Sequence, residues 1–132
     1  MFKKYFLVGS ALEGESELRR YVGASLSEAL KDLLGLGAIV LELYLSRRLG
    51  GNMYEIFFEN PHRFYLELKN LFGAGAEHLL RNIVDWLIRK NRISGLDADE
   101  FIKLLKEDRE DLRKMLLEAF KNSLRGSEDE QK

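Results

Sequence analysis

Two histidines, His62 and His78, are the side chains best suited to acid–base or metal chemistry in this chain of 132 residues. With Glu59 and Glu77 they flank the segment Gly73-Ala74-Gly75. A metal needs ligands converging on one point, and on a helix that usually means His at i and i+4. Neither histidine has such a partner. Glu77 and His78 are neighbours, which a helix points about 100° apart. Helix-end histidines are therefore expected, with no metal and no cofactor. The chain has no cysteine, which removes thiolate nucleophiles, disulfides and Cys-based zinc sites together. Ser10, Ser16, Ser25, Ser27, Ser46, Ser94, Ser123 and Ser127 mostly fall at expected caps, ends or loops, where a hydroxyl serves the backbone. Neither G-x-S-x-G nor H-E-x-x-H occurs. The acid pairs Asp97/Asp99 and Glu13/Glu15 suit helix starts and loops. The reading is of a protein that is not an enzyme.

Basic residues come in groups: Lys3-Lys4, Arg19-Arg20, Arg47-Arg48, and Arg89-Lys90 with Arg92. Arg47, Arg48, Arg89, Lys90 and Arg92 are the candidate anion or nucleic-acid contacts. A DNA-binding regulator would need them on one face beside a recognition helix. The net charge of −1 argues against a general polyanion binder. DNA binding is therefore the second reading, behind a protein or small-effector partner.

These residues hang on a central helix–hinge–helix stretch. Asn60-Pro61 starts a helix: Asn caps an orphan N–H and Pro fits the first helical position. Phe64, Leu68, Leu71 and Phe72 then recur on one face to about Phe72. Gly73 sits where a left-handed residue would stop the helix. A second stripe follows through Ala76, Leu79, Leu80, Ile83, Val84, Leu87 and Ile88. Its outer face carries Glu77, Arg81, Asp85 and Arg89, spaced for weak ion pairs. Acids there are unexpected on a recognition helix. Free N–H groups behind glycines also suit an anion, but no Lys-Ser/Thr pair follows and no strand precedes, so a tight turn is the reading of the hinge. Trp86, the sole tryptophan, falls at the stripe's margin, where it could anchor a partner.

Phe58-Glu59-Asn60-Pro61, Phe64, Leu68, the run Leu71 to Glu77, Leu80 and Ile83 together resemble the archaeal NitrOD-type output-domain family. Residues 26–49 also resemble its first helices, so the match covers roughly residues 25–92. The resemblance implies a small helical domain with a signalling or regulatory output and no established chemistry.

Composition is 45% apolar and 33% charged, which is globular rather than disordered. The longest uncharged run, Leu33 to Leu41, is far short of the ~20 residues of a spanning helix. The apolar run near Met1 is too short for a signal peptide. A cytoplasmic location with no membrane segment is expected. The many Lys, Arg and Glu, beside a single Gln, resemble a thermophile's usage.

Residues 1–24 read as helix, with Phe2, Tyr5, Phe6, Leu7 and Val8 apolar enough for burial and a short helix capped by Ser16. Ser25 with Glu28 reads as a capping box that starts a helix through Leu26, Leu30, Leu33 and Leu34. Gly35 and Gly37 end or kink it. Ala38 to Leu45 is apolar nearly all round, so it reads as a central core helix, an oligomer interface, or both. Its one charge, Glu42, reads as a rim carboxylate or as a buried acid marking a site. Asn52 starts a short turn through Tyr54, Phe57 and Phe58. Asp97 to Glu100 opens a last helix to about Leu124, with the apolar-free stretch Lys106 to Asp111 either exposed within it or breaking it. Continuous, it would be ~40 Å long, enough to reach a partner subunit.

The expected architecture is all-α: a compact bundle of about five to six helices in one domain over 1–125, with a family-like core at 25–92, a long C-terminal helix at 97–124 and a disordered acidic tail at 126–132. A homo-oligomer, as a dimer, is expected. The candidate interface residues are Ile39, Val40, Leu43, Tyr44, Trp86, Leu112, Leu116 and Phe120.

Overall fold

In the computed structural model the backbone is described for residues 2–130 and side chains for residues 14–126. The apolar residues near the N-terminus and the tail side chains after Gly126 lie outside the described side chains. The described residues are all-α, with seven helices and no strand.

Helix α1, Phe2–Leu34, runs unbroken. Neither Ser16 nor Ser25 caps a helix, which corrects the expected starts there. Ser25 is fully buried in mid-helix, and its hydroxyl accepts a hydrogen bond from Arg92 Nη1 at 3.2 Å. Local capping preference loses to the burial of Val22, Leu26, Ala29 and Leu30 on one face, which stabilises the continuous helix several-fold more than a cap would. Gly23 lies in the same stretch and brings α1 close to Tyr54 Cβ, 3.5 Å from where its own Cβ would stand.

Helix α2, Gly37–Leu49, folds back after the turn at Gly35. Helix α3, Met53–Glu59, starts at Asn52, whose side chain accepts from Tyr54 and Glu55 N–H. Helix α4, Pro61–Phe72, starts at Asn60, which accepts from Arg63 N–H. Gly73, at φ +57°, ends it, and helix α5, Gly75–Arg89, follows. These starts and the hinge are where the sequence places them.

The expected long last helix is two helices, α6, Ala98–Leu105, and α7, Glu110–Glu130. Asp97 caps α6 by accepting from Glu100 N–H at 2.8 Å. The apolar-free turn between them is the break. Arg109 there pairs with Glu107 and Asp111. The fold-back lets Phe101 of α6 meet Phe120 of α7, ring centroids 6.2 Å apart. Phe120 also meets Phe57 of α3 at 6.5 Å, and Phe57 meets Phe64 of α4 edge-on at 5.3 Å. This chain of rings joins four helices, each contact contributing roughly 0.5–1.5 kcal/mol beyond area burial. Leu116 and Phe120, expected at an interface, are fully buried within this core, and Leu112 is half-buried. Trp86 is likewise interior at 4% exposure rather than marginal, because its indole N–H reaches Asp32 Oδ2 at 2.7 Å.

Candidate functional site

The remaining candidate interface residues, Ile39, Val40, Leu43 and Tyr44, lie together on α2. The helix is fixed at both ends by glycines. Gly35, at φ +57°, donates its N–H to Lys31 O at 2.9 Å and closes α1. Gly50, at φ +80°, donates to Ser46 O at 2.9 Å and closes α2. Side chains then hold α2 against its neighbours. Arg48 Nε donates to Glu67 of α4 at 3.3 Å, and Arg63 Nη2 donates to Leu49 O at 3.0 Å. Ser46 Oγ accepts from Met53 N–H at 3.2 Å. Tyr54 donates its hydroxyl to Glu42. Burial, and then that hydrogen bond to the carboxylate, push the Tyr54 hydroxyl well above its ordinary value. Glu42 is thus a half-buried acid with a protein partner.

Ala38, Leu41, Leu45 and Leu49 form the buried face of α2. The opposite face is apolar too, and open. Leu36, just before the helix, is 84% exposed, Ile39 52%, Val40 69%, Leu43 68% and Tyr44 42%. At 100° per residue these five span an arc of about 140°, facing away from the core. The helix is therefore not central, although its all-round apolar character is real. Arg47 is the exposed charge at the far end of this face, and it makes no ion pair among the described residues.

A second copy of the same hinge gives an internal control. Gly35-Leu36-Gly37-Ala38 and Gly73-Ala74-Gly75-Ala76 adopt the same backbone. Gly35 and Gly73 are both at φ +57°. Leu36 and Ala74 are at φ −62° with ψ −24° and −25°. Ala38 N–H donates to Gly35 O, and Ala76 N–H to Gly73 O, at 3.1 Å in each case. Position for position, the buried Ala38, Leu45 and Leu49 of α2 match the buried Ala76, Ile83 and Leu87 of α5. The open Ile39, Val40, Leu43 and Tyr44 match Glu77, His78, Arg81 and Asn82. On α5, two of these positions carry ion pairs to other elements: Arg81 to Asp99 of α6 at 2.5 Å, and Glu77 to Lys106 at 2.9 Å. The Lys106 hydrogen bond, with its charge, holds the Glu77 carboxyl below its ordinary value. The Gly-x-Gly-Ala repeat is the sequence signal that singles out α2, and reading the second hinge alone misses it.

The other candidates are dispersed. His62 sits half-buried, with Nδ1 donating to the Leu105 carbonyl at 2.8 Å, whereas His78 is exposed. Among the described residues no three His, Asp or Glu side chains cluster as metal ligands. The basic residues divide between two places. Arg47 and Arg48 end α2, and Arg48 is paired with Glu67. Arg92 pairs with Glu28 and lies over the Trp86 ring at 5.7 Å, with Lys90 also beside that ring. Arg89 is exposed. Open clefts of about 630 Å³ between α1 and α7 and about 540 Å³ between α6 and α7 are lined by none of these residues, whereas Lys90 and Arg92 line an open cleft of about 720 Å³ with Tyr21 and Ser123, and His62 lines one of about 170 Å³. Among the described residues no helix is long and apolar enough to cross a membrane. No family model, no curated protein and no solved structure matches the chain.

Proposed function

We propose that the chain is a non-enzymatic regulatory or output domain of the cytoplasm that acts through self-association and a protein or small-effector partner. The observation that carries this reading is the open apolar face of α2, held rigid from behind by Arg48, Ser46 and Glu42. An exposed patch of this kind marks an interaction site, and its lack of charge along most of its length is the mark of an interface centre. The regulatory sense is taken from the motif resemblance of residues 25–92 to NitrOD-type output domains and is part of the proposal. The test is solution mass by light scattering over a tenfold concentration range, for the native chain and for Val40→Glu. The expected result is a native mass above the 15.3 kDa monomer that falls to the monomer in the variant, with helical circular dichroism unchanged. A native chain that stays monomeric throughout overturns the self-association reading.

A further inference from the structure

We infer that the open face of α2 is a two-fold interface in which α2 packs antiparallel on α2 of a second copy, with Val40 at the axis. This rests on the self-association reading and fixes its geometry.

Three observations carry it. The first is self-complementarity, which a two-fold interface requires because one patch meets itself. With Val40 on the axis, Leu36 lies opposite Tyr44 of the second copy. Leu43 then lies opposite Gly37, a large side chain against an exposed glycine. The second is charge. Antiparallel packing sets the two copies of Arg47 at opposite ends of the interface, about 20 Å apart along the helices. Parallel packing would set Arg47 against its own copy. The third is area. At the observed exposures, the five side chains leave on the order of 500 Å² open per copy. Two copies remove about 1,000 Å², which is the floor for a specific interface, before the flanking residues add to it. On α5 the equivalent positions Glu77 and Arg81 are met by the chain's own Lys106 and Asp99. On α2 the same positions carry Ile39 and Leu43 and stand open.

The chain contains no cysteine, so single cysteines report the arrangement directly. Facing helices lie 8–10 Å apart, which leaves Cα atoms at the axis about 3.5–5.5 Å apart, overlapping disulfide reach. Leu36 and its own copy would be about 12 Å apart along the axis, outside it. Full-length Val40→Cys, Leu36→Cys and Tyr44→Cys chains, each folded by circular dichroism, are oxidised alone and in mixtures and run on non-reducing gels. The expected result is a disulfide dimer from Val40→Cys alone, none from Leu36→Cys alone, and a mixed dimer from Leu36→Cys with Tyr44→Cys. Self-crosslinking by all three variants means parallel packing and overturns the arrangement. A native dimer by light scattering with no crosslink at Val40 also overturns it, while leaving self-association standing. A monomer overturns both, and its binding to phosphatidylcholine–phosphatidylglycerol vesicles would then give the face to lipid.

Discussion

Helices α2 and α5 leave the same hinge and seat the same kind of buried face, yet they treat solvent in opposite ways. α5 turns Glu77, His78, Arg81 and Asn82 outward, and α2 turns out Ile39, Val40, Leu43 and Tyr44. The hinge and the inner face are what the fold needs, since they hold with either outer surface. The outer face is free of that demand. Leaving these four large apolar groups and Leu36 in water forgoes burial that would be favourable by roughly 25 cal/mol per Å², which is what the proposed self-association would recover.

The inner faces should be equally costly to damage. Leu45 and Leu87 are both fully buried, so Leu45→Ala and Leu87→Ala should each cost about 2–5 kcal/mol in urea unfolding. A much smaller loss for Leu45→Ala would mean that α2 is only loosely seated, and would break the comparison. Next come the hinges. Gly35→Ala and Gly73→Ala force a side chain into a left-handed backbone and should each cost about 1–3 kcal/mol. Gly75→Ala, at an ordinary φ with the nearest group 3.7 Å away, should be far milder. Equal losses at Gly73 and Gly75 would show that the two hinges are not set by backbone conformation. A smaller change is expected from transplanting the α5 surface onto α2, as Ile39→Glu with Leu43→Arg and Tyr44→Asn. Each substitution should shift monomer stability by about 0.5 kcal/mol or less. The proposed assembly, read by light scattering, should nevertheless be absent from this variant.

The smallest effect concerns what holds α2 from behind. The Tyr54 hydroxyl is raised from an ordinary 10.0 by burial and by Glu42, so the folded state keeps its proton at a pH where the unfolded chain releases it. The unfolded state then binds fewer protons, and stability falls as pH rises above about 10. Tyr21 is raised in the same sense, by burial, with Arg92 opposing. Tyr54→Phe should therefore flatten part of the alkaline decline in unfolding free energy and leave the Tyr21 part. An unchanged slope would remove Tyr54 as a cause.

Legibility followed the range of the forces. Asn52, Asn60-Pro61, Asp97 and Gly73 act on backbone groups within four residues of themselves, so their roles can be read directly. Ser25 carries the same local signal and is overridden by the burial of Val22, Leu26, Ala29 and Leu30 against distant elements, with Arg92 donating to its hydroxyl. Trp86 is misplaced by the sequence for a similar reason: its position on the stripe is marginal, but Asp32 of α1 receives its N–H and seals it. The sequence leaves the break between α6 and α7 open, because a charged turn suits an exposed helix and a loop equally. Phe101 meeting Phe120 decides it. On α2 the apolar circumference is plain in the sequence. Which side faces outward depends on where α1, α3 and α4 pack.

Phe58 has a guanidinium on two sides. Arg19 of α1 lies 4.5 Å from its ring centre and Arg113 of α7 lies 5.2 Å away, with Arg113 Nε also donating to the Phe58 carbonyl at 2.7 Å. The two cations stand 94 residues apart in the chain. Bringing both to one ring closes a long loop, which costs entropy before any contact repays it. α1 is thus locked to α7 only through a contact far away in the chain, and a chain shortened before Arg113 should be open to proteases along the α1 surface at Arg19.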